Sequence, residues 1–175
     1  MNTLLEASSR MAYPTDLRLV FEAFGGRERE FNWLLTDVEL NRYPPGLAYR
    51  TDADSSDTRW LSGTELSEIV EAYEIQFIWG VLSGFRLGVA IDVTTLDTYP
   101  YADGNKALWE PNVSIQHPFA GVEIVCWDAT ATLLLSRDND LTQRFRRFFP
   151  EAVDLNEHNK GRASSRGTVS NREHR

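Results

Sequence analysis

Residues 75–85 (IQFIWGVLSGF) constrain the fold most. Ile75, Phe77, Trp79 and Val81 alternate on one side of this run, and Ile78 and Leu82 fall on the other. A strand that is apolar on both parities is buried on both faces, which places it in the middle of a sheet. The remaining chain must supply the cover. It has 175 residues, enough for one domain of ordinary size, and its 42% apolar content suffices for a core.

Other elements follow from their spacing. Residues 15–24 predict a helix, with Leu17, Val20, Phe21 and Phe24 at i, i+3, i+4 and i+7 and Gly25-Gly26 as its stop. Phe31, Trp33 and Leu35 alternate in a strand over 30–40, which Tyr43-Pro44-Pro45-Gly46 breaks. Ser62 and Glu65 form a capping box before a helix whose apolar face is Leu66, Ile69, Val70 and Tyr73. Residues 121–127 and 130–136 flank Asp128-Ala129 and read as a hairpin. Short strands are expected at 87–93 and 113–116, and a last helix over 140–149 with Leu141, Phe145 and Phe148 as its stripe. Interspersed helices and strands with a tight hairpin predict an α+β domain. Its sheet is mostly antiparallel, of about five to six strands, with two to three helices. A doubly wound parallel sheet would need more crossover helices.

The net charge of −8 is unevenly distributed. Residues 160–175 hold one Lys, four Arg and one Glu, a charge of +4, and lack apolar residues to bury; they predict a disordered basic C-terminal tail. Residues 1–159, the single folded domain, hold thirteen basic and twenty-five acidic side chains, a charge of −12. An acidic body does not suit nucleic acid or an anionic membrane as its main partner. No apolar run approaches the length of a membrane span, and residues 1–14 contain no signal-peptide core, so the expected compartment is the cytoplasm.

No motif names a reaction. A single cysteine and three histidines at unrelated positions give no metal-ligand spacing, and neither metal nor cofactor is expected. Asp52, Asp54 and Asp57 resemble the start of a calcium loop, but Asp57 stands where the turn needs glycine and Gly63 where a bidentate Glu is needed. Cys126 alternates with Val122 and Ile124 and reads as a buried thiol. Ser83 lacks a nucleophile elbow, and no phosphate-binding loop occurs. Asp37 and Glu39 would share one side of a strand, facing water. Two alternatives to a binding protein remain. One is a small hydrolase-type enzyme using carboxylates or His117 in a cleft beside the central strand, where His117 or Asp103 meets another titratable group. The other is a small-ligand or sugar-binding module, which requires Tyr101 and Trp109 exposed side by side.

The string from Trp60 to Phe85 (WLSGTELSEIVEAYEIQFIWGVLSGF), with PYADGN, SIQHP and EIVCWDATATLLLS further on, resembles a small bacterial family of uncharacterised single-domain proteins over about residues 31–159. Compact acidic domains of this kind resemble immunity proteins that neutralise secreted bacterial toxins. The resemblance implies no catalytic residues. The leading expectation is therefore a non-enzymatic protein-binding domain whose partner is a basic toxin domain. Its contacts are expected at the 52–57 loop (Asp52, Asp54, Asp57), the acidic helix (Glu68, Glu71) and the 99–109 loop (Tyr101, Asp103, Trp109).

Overall fold

The computed structural model describes residues 2–47, 58–93 and 95–169. Seven strands form one sheet: β1 (Thr3–Leu5), β2 (Phe31–Leu40), β3 (Arg59–Ser62), β4 (Phe77–Arg86), β5 (Val122–Trp127), β6 (Ala131–Ser136) and β7 (Val153–Asp154). Their order is β3-β2-β4-β5-β6-β1-β7, and every neighbouring pair is antiparallel. Four helices accompany them among the described residues: α1 (Leu17–Phe24), α2 (Gly63–Ala72), α3 (Asn139–Phe148) and α4 (Leu155–Val169). The α+β class and the antiparallel sheet agree with expectation. The extra strands are β1, β3 and β7, each of four residues or fewer and too short to show a period of two.

Strand β4 lies between β2 and β5, and the two faces of the sheet are covered differently. Helices α1, α2 and α3 press Phe21, Phe24, Leu66, Val70 and Phe145 onto Trp33, Leu35, Leu82, Ile124 and Leu134. On the opposite face Val81, Val125, Leu133 and Leu135 are covered by Ala102 and Leu108 of the long connection after β4 and by Leu155 of α4. Residues 87–93 and 113–116 belong to this connection and are not strands. Val89, Ile91, Val93 and Ile115 pack down on Leu34, Phe85 and Ala120, so their apolar character seals the sheet from above.

One irregularity breaks the parity of β4. The β2–β4 ladder pairs Thr36 with Val81, then Glu39 with Trp79, then Leu40 with Phe77. The two slips put Phe77 among the residues under the helices and Trp79 among those under the connection, although the sequence spacing assigns both to one side. Asp37, inside the bulge, has φ 53°, and its carboxylate Oδ2 accepts the backbone N–H groups of Ala102 and Asp103 at 2.7 and 2.8 Å. The bulge thus redirects a side chain from the strand to the connection above it.

Helix ends follow local chemistry. Asp16 caps α1 by accepting the Arg18 N–H, and Gly25 ends it at φ 68°. The capping box of Ser62 and Glu65 opens α2, with the Ser62 N–H donating to Glu65 at 2.8 Å. Asp138 caps α3 and also joins a ring of four charges: Arg27 and Arg86 each pair with both Glu30 and Asp138 at 2.6–3.0 Å. Hydrogen bonds from Arg27 hold Asp138 and Glu30 below the ordinary carboxylate range. Helix α4 continues through residues 160–169, where the sequence predicts a disordered tail; residues 170–175 lie outside the described residues. Its first turns are tied down, for Asn159 is buried and donates to the carbonyls of Leu108 and Glu110.

The β5–β6 hairpin turns through Asp128 at φ 47° and Ala129 at φ 54°. Both residues are left-handed within a loop of three residues between the paired Trp127 and Ala131, a backbone region that favours Gly. An L-residue with a Cβ is disfavoured there by about 1–2 kcal/mol. Ala129→Gly is therefore expected to raise stability by about 0.5–1 kcal/mol in urea unfolding, after the greater freedom of Gly in the unfolded chain is offset. A destabilised variant would show that the turn is not strained.

Candidate functional site

The expected contact residues are scattered. Asp52, Asp54 and Asp57 lie outside the described residues. Glu68 and Glu71 are exposed on α2, and Glu71 lies 3.6 Å from Arg29. Tyr101 is exposed, and the carbonyl of that residue accepts from Asn105. Asp103 is also exposed, and its backbone N–H is held by Asp37. Trp109 is half-buried: it meets Trp127 edge to face at 5.0 Å, and the Arg162 guanidinium sits 4.9 Å above it. Its ring is thus committed to the body, and the exposed Tyr101–Trp109 pair that a sugar platform requires is absent.

His117 is buried against Phe85 at 4.9 Å, and its Nδ1 accepts the Phe119 N–H. That contact leaves the proton on Nε2, and burial lowers its pKa from the ordinary value. No hydrogen bond joins His117 to Asp103 among the described residues, and none of the four described clefts is lined by either. Cys126 is fully buried and its thiol is pushed far above its usual range by desolvation. Among the described residues no group of three or more His, Cys, Asp or Glu side chains could hold a metal ion.

Beneath the connection lies a buried carboxylate that charge counting does not single out. Glu123 is fully buried on β5, with Ser83 donating to its Oε1 at 3.0 Å. The backbone N–H groups of His117 and Gln116 donate to Oε1 and Oε2, both at 2.8 Å. Burial pushes its pKa up to about 7, against the downward pull of those hydrogen bonds. Its neighbours Val122 and Ile124 face the helices, so its only outlet is the loop above. This group serves as an anchor, since all its donors come from the fold itself.

Among the described residues, a double concavity lies between α1 and α2. Two adjoining clefts of about 550 and 350 Å³ share Arg18, Val70 and Glu71. The second carries Asp16 and Glu74 with the rings of Tyr13 and Tyr73. The first is lined also by Glu28 and Arg29 from the 3-10 turn Arg27–Glu30. Glu28 is only 3% exposed. Its Oε1 accepts from Ser67 at 3.0 Å and, at 3.4 Å, from Arg29, while its Oε2 has no hydrogen-bond partner. A buried carboxylate oxygen without a donor carries a desolvation cost on the order of 1–3 kcal/mol or more.

The placement of Glu28 rests on two glycine features. Gly25 and Gly26, at φ 68° and 86°, turn the chain sharply from α1 into the 3-10 turn. Gly63, the first residue of α2, lets that helix press on the turn: a Cβ there would lie 2.1 Å from the Glu28 carbonyl oxygen. The same carbonyl accepts the indole N–H of Trp33 at 2.9 Å. In the sequence Glu28 stands in Arg-Glu-Arg-Glu and looks like solvated surface; only its contact with residues 63–67 buries it.

A third cleft, of about 490 Å³, runs along α3 and presents Arg146 and Arg147. Among the described residues it carries no acidic side chain, whereas the α1–α2 groove mixes Arg10, Arg18 and Arg29 with five acids. The fold and groove define a single-sheet α+β domain with a surface recess. Comparison with protein-family models, curated proteins and solved structures returned no match to this chain.

Proposed function

We propose that this chain is a non-enzymatic protein-binding domain, an immunity or inhibitor protein that neutralises a bacterial toxin with a basic surface. The observation that carries the reading is the α1–α2 groove, where the buried Glu28 and the exposed Glu71 and Glu74 converge. The groove also holds Arg18, paired with Asp16, and Arg29, which lies 3.4 Å from Glu28 and 3.6 Å from Glu71, so its negative charge is partly offset from within. The groove is where a cationic partner finds negative charge and a shaped recess together. A body charge of −12 steers such a partner during approach. Nuclease toxins carry basic clefts for their substrates, which makes them the concrete partner class. The proposed compartment is the cytoplasm, and no helix of the described residues is long and apolar enough to cross a membrane.

The test is co-expression of this chain with basic nuclease toxin domains, any encoded by a neighbouring gene first. Restored growth and a complex that survives gel filtration are expected, with association that slows as salt is added. Unrelieved toxicity, with no complex at low ionic strength, would overturn the proposal.

A further inference from the structure

We infer that residues 89–93, in the connection after β4, are an interaction edge for a second copy of this chain, whose own residues 89–93 add there as an antiparallel strand across a two-fold axis. This surface lies on the face of the sheet opposite the α1–α2 groove, and it stands whether or not the protein-binding reading above does.

Three observations converge. First, the segment is built and packed like a strand, yet it pairs with nothing. Val89, Ile91 and Val93 alternate and pack down on Leu34, Phe85 and Ala120, while Ala90 and Asp92 between them are exposed. β-branched residues at a period of two, with one face down, are the pattern of a half-buried strand. The Val89 N–H donates to the Arg86 carbonyl, but the backbone groups of Ala90, Ile91 and Val93 make no hydrogen bond among the described residues. Solvated backbone along an apolar, strand-like segment is a template for another strand. Second, the devices that keep such edges apart are missing. Edges are commonly guarded by lysine, proline or inward-pointing charge. Residues 87–96 hold no Lys, Arg or Pro, and Asp92 is their single charge.

Third, the surroundings favour a copy of this chain over a basic partner. Leu87 and Phe119 are the most exposed large apolar side chains among the described residues, at 63% and 69%. Their two turns are tied together, for the Gly121 N–H donates to the Gly84 carbonyl at 2.8 Å. Arg86, next to Leu87, is paired with Glu30 and Asp138, which also pair with Arg27, so those charges cancel within the fold. A body charge of −12 repels its own copy in general, and an apolar, locally balanced end is where that repulsion is least. Pairing centred on Ala90 sets Val89 against Ile91 of the second copy and Asp92 against Gly88. Every apolar side chain then keeps to the packed face, and no like charges oppose. Ala90 exchanges both backbone hydrogen bonds with its counterpart, and the contact closes at two copies. Five paired residues flanked by Leu87 and Phe119 bury less than the roughly 1,200–2,000 Å² of a stable interface. The dimer is therefore weak, with a dissociation constant on the order of 100 μM.

The test is sedimentation equilibrium of the full chain between about 10 μM and about 1 mM, a range that brackets this constant. The weight-average mass is expected to rise from 20.0 kDa to near twice that value and no further. Amide hydrogen exchange at Ala90 is expected to slow over the same range. Ala90→Lys sets two like charges opposite each other on the axis and is expected to weaken the dimer several-fold. Its side chain is exposed, so the unfolding midpoint is expected to stay in place. Ala90→Asp is expected to act likewise, and an equimolar mixture of the two variants to restore association, a rescue that requires residue 90 to face itself. Phe119→Ser is expected to weaken the dimer several-fold. A chain that stays monomeric throughout, a dimer indifferent to Ala90→Lys, a mixture without rescue, or a mass that grows past two copies would each overturn the inference.

Discussion

Gly63→Ala is expected to destabilise this protein by about 3 kcal/mol, although it places a better helix former in the first turn of α2. Two effects compete. Ala at a helical position is favoured over Gly by about 1 kcal/mol. Against that, the new Cβ would lie 2.1 Å from the Glu28 carbonyl oxygen and 2.7 Å from the Arg29 Cα. Both are backbone atoms and cannot swing aside as a side-chain tip can. Relief requires α2 or the 3-10 turn to move, which strains the Trp33 N–H bond to the same carbonyl and the Ser67 contact with Glu28. Overpacking of this kind costs about 1–3 kcal/mol and occasionally more, and the backbone clash places Gly63 at the upper end. Urea unfolding measures it directly. An unchanged or raised midpoint would mean that α2 does not rest on the turn, and the floor of the groove would then be wrongly drawn.

The second large effect is a pH dependence set by Glu123. Its folded pKa is about 7 against an ordinary value of 4.5. Between those values the folded chain retains a proton that the unfolded chain has released, so stability falls as pH rises from about 4.5 to about 7 and levels off above. The span corresponds to roughly 3 kcal/mol. His117, kept neutral by burial, contributes the opposite slope below its ordinary value of 6.5, because there the unfolded chain binds the extra proton. Glu123→Gln separates the two. It removes the falling limb and leaves the rise due to the histidine. Unfolding free energies at pH 5 and pH 8 for both proteins supply the comparison, and identical slopes would show that Glu123 does not titrate in this window.

What the sequence made legible was whatever repeats locally. The α1 stripe, the capping box of Ser62 and Glu65, the β5–β6 hairpin and the apolar run of β4 each announce themselves within about ten residues. Contacts that close over long separations stayed hidden. Strand β1 exists because Thr3 pairs with Leu134, and nothing near residue 3 signals it. The flip between Phe77 and Trp79 depends on the second slip of the β2–β4 ladder, where two steps of β4 oppose the single step from Glu39 to Leu40. The groove shows the same division. Glu71 was visible as an acid on a helix, whereas Glu28 is made significant by Gly63, thirty-five residues away. Glu123 did leave a local trace, a charge between Val122 and Ile124 in an otherwise apolar strand, and such a residue asks for buried donors.

The central claim is that the acidic face between α1 and α2 recognises a basic protein. The most direct measurement is the affinity of a basic nuclease toxin domain for the wild-type chain and for a Glu71→Lys, Glu74→Lys double variant, both at low and at high ionic strength. Neither side chain is buried, so the variant is expected to fold normally. The account predicts a loss of about tenfold or more on charge reversal at low salt, with the gap narrowing as salt screens it. Equal affinities at low salt would contradict it.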